Sequence, residues 1–354
     1  MRIVLISFST RGAIGDYLYL LAKELTNYDE TFLVVPDYFD KEIKVKEIIK
    51  FKTGKNKFIS LLNFTNPFQI AKLIINIKRI NPNLVHLIFG EGYPPAIFLS
   101  LFLRFYKIPL IITIHDPEIH PGNFIEAING ILRIITLKLA NGIHIHSGVF
   151  LNKILNLGVE RNKVFIIPHG SFVPLFAPYK REKIKKEKII LFFGRIEKYK
   201  GLEYFVQAGL KMEGFKFLIA GPGRIPKELL KLIKQHPEKF GLINKFLSYE
   251  EIAELFQKSI VCVLPYIQAT QSSIPLIAAY FGVPVVATKV GAFVEEIPLV
   301  NGVLVEPKNI DDLIRGIYEA FKKKPFYPQE RDFRNLVIEF RKMYFKAVGK
   351  DLNN

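Results

Sequence analysis

The sequence has a single cysteine, no tryptophan and three methionines. Cys262 lies in an apolar run and can form no disulfide within the chain. That fits a reducing compartment and argues against thiol or zinc-thiolate chemistry. Acidic residues are also scarce, with 33 Asp and Glu against 50 Lys and Arg, for a formal charge of +17. Such a surplus admits nucleic acid or an anionic membrane surface as partner. No RNP-like aromatic signature or helix-turn-helix pattern accompanies it, so nucleic acid is set aside. The longest apolar stretch, 96–114, is broken by Arg104, Lys107 and Pro109 and cannot read as a membrane span. Residues 2–8 are too short an apolar run for a signal peptide. The expectation is a cytoplasmic chain, at most peripheral on the membrane face.

What is abundant is apolar residues, 49% of the 354, enough for two cores. Strand-like runs at 2–8, 31–35, 84–88, 109–114, 143–146 and 163–167 alternate with helical patterns at 67–80, 94–106, 124–140 and 149–157. Continuous apolar strands between helices predict a parallel sheet covered on both faces. Residues 172–188 break the rhythm with two prolines and the charge run KREKIKKEK, and read as a linker. A second alternating series follows, with strands at 189–193, 216–220, 259–264 and 283–288. The expected fold is α/β: two doubly wound, Rossmann-like domains facing across a cleft, 1–172 and 189–325, joined by a linker at 173–188. The tail, 326–354, carries a helical pattern that could pack back on the first domain.

Cations crowd 41–57, with Lys41, Lys44, Lys46, Lys50, Lys52, Lys55 and Lys57. Phe51, Phe58, Leu61, Leu62, Phe64 and Phe68 interleave or follow. Lysines beside exposed aromatics would suit a lipid headgroup layer; a lysine-rich surface over an ordinary core is the alternative.

The chemistry concentrates at 189–210. An apolar strand ends at Gly194, Arg195 and Lys200 flank a short loop, and Leu202, Phe205, Val206 and Leu210 follow at helical spacing. Ligands of parallel sheets sit at strand ends, and a helix N-terminus there favours anions. In 261–296 a second strand ends at Pro265, followed by a polar loop, 268–273, and a short apolar helix. Ser272 and Ser273 are N-cap candidates, with Pro275 tolerated in the first turn. Fixed amides and two cations are what a departing diphosphate needs.

These stretches, GRIEKYKG, the AGPG of 220–223, PLIAAYFGVPVVATKVGAFVE and NGVLVEP at 301–307, resemble the retaining GT-B glycosyltransferases of family four. The first domain agrees through the loop 12–15, PNLVH, ITIHD and IPHG. The resemblance covers nearly the whole chain. It implies transfer of a hexose-type sugar from a UDP- or GDP-linked donor to a glycan or polyprenyl-linked acceptor with retention, and no metal or other cofactor. It implies that Arg195 and Lys200 hold the donor phosphates and that His115 lies near the transferred sugar. It implies too that the Gly12 and Gly15 loop borders donor and acceptor, and it matches Glu295 to the family's glutamate. Gly194, Gly221, Gly223, Gln271, Ser272 and Ser273 complete the expected donor site.

One departure stands out. Where the family carries two glutamates eight positions apart, this chain has Ala269 and Ile277. The stretch 269–273 looks like that of a subset with a glutamine-serine loop, in which Gln268, Gln271 or Ser272 supply neutral hydrogen bonds. Front-face substitution is the implied mechanism, with Asp116 and Glu295 as alternative bases. His115, Asp116, Glu118 and His120 crowd one loop but lack an established metal-ligand spacing. His86, His144 and His169 read as hydrogen-bonded structural residues. The rival readings are a non-catalytic GT-B-shaped partner or nucleotide-sugar-binding protein, and a sugar-nucleotide epimerase of similar fold.

Overall fold

Seven parallel strands with continuous apolar runs build the first sheet: β1 (Arg2–Ser7), β2 (Glu30–Pro36), β3 (Glu47–Phe51), β4 (Leu84–Phe89), β5 (Leu110–Ile114), β6 (Gly142–Ile145) and β7 (Val164–Ile166). They lie in the order β3-β2-β1-β4-β5-β6-β7. Six more build the second: β8 (Ile189–Phe193), β9 (Lys216–Ala220), β10 (Phe240–Ile243), β11 (Ser259–Leu264), β12 (Val285–Thr288) and β13 (Val303–Val305). Their order is β10-β9-β8-β11-β12-β13, again all parallel. This computed structural model describes residues 1–54, 57–117, 124–182 and 184–350. The chain divides into two units, Met1–Gly170 with Phe333–Asn354, and Ser171–Asp332. Both are doubly wound Rossmann-like sheets, as a two-domain GT-B fold requires. In each, the strand order reverses between the first strand and its later neighbour, β1 beside β4 and β8 beside β11. Ligands of open parallel sheets bind at that reversal.

Three strands depart from the sequence reading. β3 was hidden in the lysine-rich stretch because it is an edge strand: among the described residues it pairs only with β2, and Lys50 reaches back to the Phe39 carbonyl. β10 and β13 are apolar but only four and three residues long, too short to stand out as strands. The reading of 41–68 as lysines beside exposed aromatics is corrected in part. Phe51 and Phe64 are buried against Phe8, with ring centroids 5.6 and 6.0 Å from it, whereas Phe68 is exposed. Lys55, and the side chains of Lys57, Phe58 and Leu61, lie outside the described residues. The linker assignment at 173–188 is also corrected at its start. Val173–Phe176 is a helical turn with Pro174 in its first positions, and Val173 and Phe176 are buried in the second unit. The prolines mark a helix start rather than a break.

The tail helix Phe333–Ala347 belongs to the first unit and packs on the helix Ala13–Leu25. A hydrogen-bonded chain ties it to the sheet. Tyr344 Oη is 2.8 Å from His86 Nδ1, His86 Nε2 is 2.7 Å from Thr113 Oγ1, and Thr113 Oγ1 is 2.9 Å from His144 Nδ1. His144 Nε2 ends the chain on the Ile167 carbonyl at 2.8 Å. A carbonyl can only accept, so His144 must donate from Nε2, and every bond upstream is then directed from Tyr344 toward Ile167. Both imidazoles are neutral in this arrangement. Burial also holds His86 well below its usual range and His144 down to about 4.

Thr113→Val would strand two buried ring nitrogens, at about 1–3 kcal/mol each. Thermal unfolding should show a clearly lower Tm; an unchanged Tm contradicts the directed chain. Because the unfolded chain takes up histidine protons that the folded one refuses, stability should fall as pH drops below about 6.5 toward 4. A Tm that is flat over that range contradicts neutral burial.

Candidate functional site

In the second unit the strand-order reversal brings the loop after β8 against the loop after β11. Gly201, at φ 65°, ends the first loop where an added Cβ would lie 2.0 Å from the Pro265 carbonyl, so only glycine lets the two loops touch. Ile267 donates from its amide to the Tyr199 carbonyl at 2.6 Å, a second seam.

Lys200 lies at this seam, 9% exposed. Its ammonium donates to the Tyr266 hydroxyl at 2.9 Å and lies 4.8 Å from that ring's centroid. The Tyr266 hydroxyl in turn bonds the Ser272 side chain. One tyrosine therefore links the lysine of the first loop to the serine of the second. Among the described residues no carboxylate forms an ion pair with Lys200. Burial, and then the neighbouring Arg195, lower it to about 8. Arg195 itself is exposed and borders a cavity of about 400 Å³ with Gly223, Arg224 and Phe246.

The glycines of the expected donor site occupy the side-by-side run of the loops after β8 and β9. Gly194 donates to the Ala220 carbonyl at 3.0 Å, and Ile196 to Pro222 at 2.8 Å. Gly221, at φ 135°, would set a Cβ 2.2 Å from the Gly194 carbonyl. Gly223 exchanges hydrogen bonds with the Asn244 side chain, both at 3.0 Å. These glycines shape the floor on which Arg195 stands.

The loop 268–273 differs from expectation in its amides. Ser273 is the N-cap residue of the helix Ile274–Tyr280, but its side chain caps nothing. The Ser272 hydroxyl accepts from the Ile274 amide at 3.3 Å, and Pro275 has no amide hydrogen to offer. The Ser272 amide is taken by the carboxyl of Glu296. An incoming anion must therefore displace the protein's own oxygens. Glu296 was missed in the sequence, where its neighbour Glu295 was singled out. Glu295 is exposed in the first turn of the helix Phe293–Leu299, while Glu296 reaches the serine loop. Burial raises Glu296 to about 8, against the opposing pull of Arg331 and the Ser272 amide. Gln271 is half-buried, and Ile277 is buried in its helix.

The first unit carries a separate cluster. β5 and β6 pair with Ile114 opposite Ile145, so the next residues, His115 and His146, leave adjacent strand ends together. His115 Nδ1 lies 3.2 Å from His146 Nε2. Tyr17, of the helix that starts after Gly12, packs edge-on to His115, His146 and Phe333 at 4.9–5.4 Å, with His169 tilted at 5.4 Å. Gly12 is the N-cap residue of that helix, and Gly15 is buried in its first turn. Burial holds His115 and His146 well below the usual histidine range, and their histidine neighbours add to the effect. Both are neutral donors and acceptors near pH 7. The Asp116 carbonyl accepts from Arg133, whose guanidinium pairs with Glu91 at 3.3 Å. Glu91 and Arg133, also missed in the sequence, thus position the His115–Asp116 loop. Among the described residues no three metal-binding side chains converge; Glu118 and His120 lie outside them.

A model of Glycosyltransferase Family 4 matches residues 14–171, and one of Glycosyl transferases group 1 matches residues 187–323. The chain carries two glycosyltransferase domains. It is 24% identical to the uncharacterized glycosyltransferase MJ1178 of Methanocaldococcus jannaschii over 88% of this chain and 86% of that one. It is 33% identical to MJ1607 of the same organism, over 37% of this chain and about a third (35%) of that protein's length. By structure it resembles Anabaena HepE in complex with UDP-glucose (TM-score 0.67, 15% identity, 99% and 96% covered). It also resembles UDP-GlcNAc 2-epimerase of Methanocaldococcus jannaschii (TM-score 0.63, 14% identity, 96% and 99% covered). At these identities the likeness is one of fold.

Lys200 loses its charge and Glu296 gains one as pH rises through about 8. Both changes oppose a diphosphate, so affinity for a nucleoside diphosphate should fall across pH 7–9. Glu296→Gln should leave only the lysine limb, seen by calorimetry as a smaller proton uptake on binding above pH 8. Affinity that is flat over this range contradicts the site.

Proposed function

We propose that the chain is a retaining glycosyltransferase that moves a hexose from a nucleoside-diphosphate sugar, UDP- or GDP-linked, to a glycan or lipid-linked acceptor, using no metal. The observation that carries this reading is the buried Lys200 ammonium beside Arg195, tied through Tyr266 to the serine loop at the strand-order reversal of the group 1 domain. A desolvated cation there gains most from an anion whose charge grows during reaction. The UDP-glucose complex of a protein with the same fold supports the donor class.

In the proposed step the bond from the anomeric carbon to the phosphate oxygen breaks. The bond to the acceptor hydroxyl forms on the same face, and the acceptor proton passes to the departing phosphate oxygen. Arg195 and Lys200 stabilise the charge left on the diphosphate. Ser272 is released from Glu296 to face it. Neutral His115 suits a hydrogen bond to a sugar hydroxyl, and Asp116 and Glu295 are the alternative bases. With Ala269 and Ile277 in place of acids, the sugar and ribose hydroxyls fall to Gln268, Gln271 or backbone groups.

The absent acids also favour a second reading, a nucleotide-sugar-binding protein without transfer, and the shared fold adds a third, an epimerase. A panel of nucleotide sugars, scored by mass spectrometry for free nucleoside diphosphate and for epimerised donor, separates them. Transfer predicts acceptor-dependent release of the diphosphate. Arg195→Ala and Lys200→Ala should each lower kcat/KM by about 10²–10³. Accumulation of epimer, or variants that act like wild type, would overturn the proposal.

A further inference from the structure

The first unit carries an outward surface that its own fold leaves uncovered. Helices Lys57–Thr65, Pro67–Ile80, Pro94–Phe105 and Phe124–Leu139 lie side by side in one layer. Each turns an apolar stripe to the sheet, as Leu73 and Ile77, Leu99 and Leu103, and Leu137 show by their burial. A helix covering a sheet should be polar on its other side. These are not. Phe68 and Ile75, one heptad apart, are exposed, Phe68 by 84%. Phe98, Leu101 and Phe105 follow at spacings of three and four, Phe105 being 79% exposed. Ile128, Ile131 and Ile135 repeat that spacing on the fourth helix. Single exposed apolar residues are ordinary, but matched stripes on neighbouring helices form a patch that marks an interaction surface.

Charge selects the partner. Helices 57–65, 67–80 and 94–105 contain no Asp or Glu. The carboxylates in the whole span 57–117 are Glu91 and Asp116, both at strand-end loops, and Glu91 is paired with Arg133. Cations continue the apolar stripes instead: Lys72 lies between Phe68 and Ile75, Arg104 follows Leu101, and Lys138 extends the stripe of Ile135. A second copy of this chain meeting the same face would set lysine and arginine against each other with almost no acid to answer them. An anionic lipid surface answers every one, and the rings enter the headgroup layer as they do in interfacial helices.

We infer that this face docks the protein on an anionic membrane. The docking surface is the outer layer of helices rather than the lysine-rich stretch at 41–57, where Lys41 pairs with Asp16 and Lys50 with a carbonyl. Among the described residues no helix is long and apolar enough to cross a membrane, so docking is interfacial. The inference concerns the first unit alone and does not depend on the transfer reaction.

The test is cosedimentation of the full chain with vesicles of phosphatidylcholine alone and with one third phosphatidylglycerol, at low and high salt, beside its mass by light scattering. Binding should require the anionic lipid and weaken with salt. Phe68→Ser with Phe105→Ser should weaken it about tenfold or more, and Lys72→Glu with Arg104→Glu should weaken it at low salt. All four residues are exposed, so Tm should not move. Equal binding to neutral vesicles, no binding at low salt, or a lipid-free dimer that the phenylalanine variants dissociate would overturn the proposal.

Discussion

A lysine ammonium buried in the loop after β8, with a tyrosine hydroxyl for company and an arginine as its near neighbour, is held under electrostatic strain in the second unit. Desolvating a cation beside another cation is costly unless an anion joins them. Here the fold keeps both, and much of the surrounding backbone serves to hold them. Gly201 lets the two switch-point loops touch, Gly221 brings the loop after β9 under Arg195, and Tyr266 carries the lysine's hydrogen bond across to Ser272. The serine loop completes the same logic. Its amide is occupied by Glu296, a carboxyl that burial keeps largely neutral near pH 7, so the site without ligand avoids adding a full negative charge next to the position an anion would take.

The first unit solves a different problem with the same topology. Its strand ends carry histidines rather than cations, and burial keeps them neutral. Neutral imidazoles bond hydroxyls in either direction, which suits recognition of a sugar better than of a phosphate. The directed chain from Tyr344 to Ile167 anchors the tail helix beneath this cluster. The histidine cluster and the residue that locks the C-terminal helix in place are therefore members of one buried polar layer.

Most strands were legible because a strand buried on both faces must be largely apolar, as 189–193 is throughout and as 216–220 and 259–264 are after Lys216 and Ser259, and those three boundaries match the structure. β3 was not, since an edge strand tolerates Glu47 and Lys50 on either side of its two isoleucines. The turn at 173–176 was misread because proline signals a helix start as readily as a loop. In the site, Arg195 and Lys200 stood out through their spacing from the strand end. Glu296 did not: adjacent glutamates in a short helix look alike in one dimension, and only the helix rotation sends one to the serine loop and the other to solvent. The meeting of His115 with His146 was equally hidden, because it depends on the register of β5 against β6, which no local pattern reports.

The central claim is that a diphosphate is held where the loops after β8 and β11 meet. A crystal structure of the chain with a bound nucleoside diphosphate tests it most directly. The account requires phosphate oxygens within hydrogen-bond distance of Lys200 Nζ and the Arg195 guanidinium, with the Ser272 amide turned from Glu296 to the phosphate. A diphosphate bound elsewhere, with the Lys200–Tyr266 and Ser272–Glu296 bonds undisturbed, would contradict it.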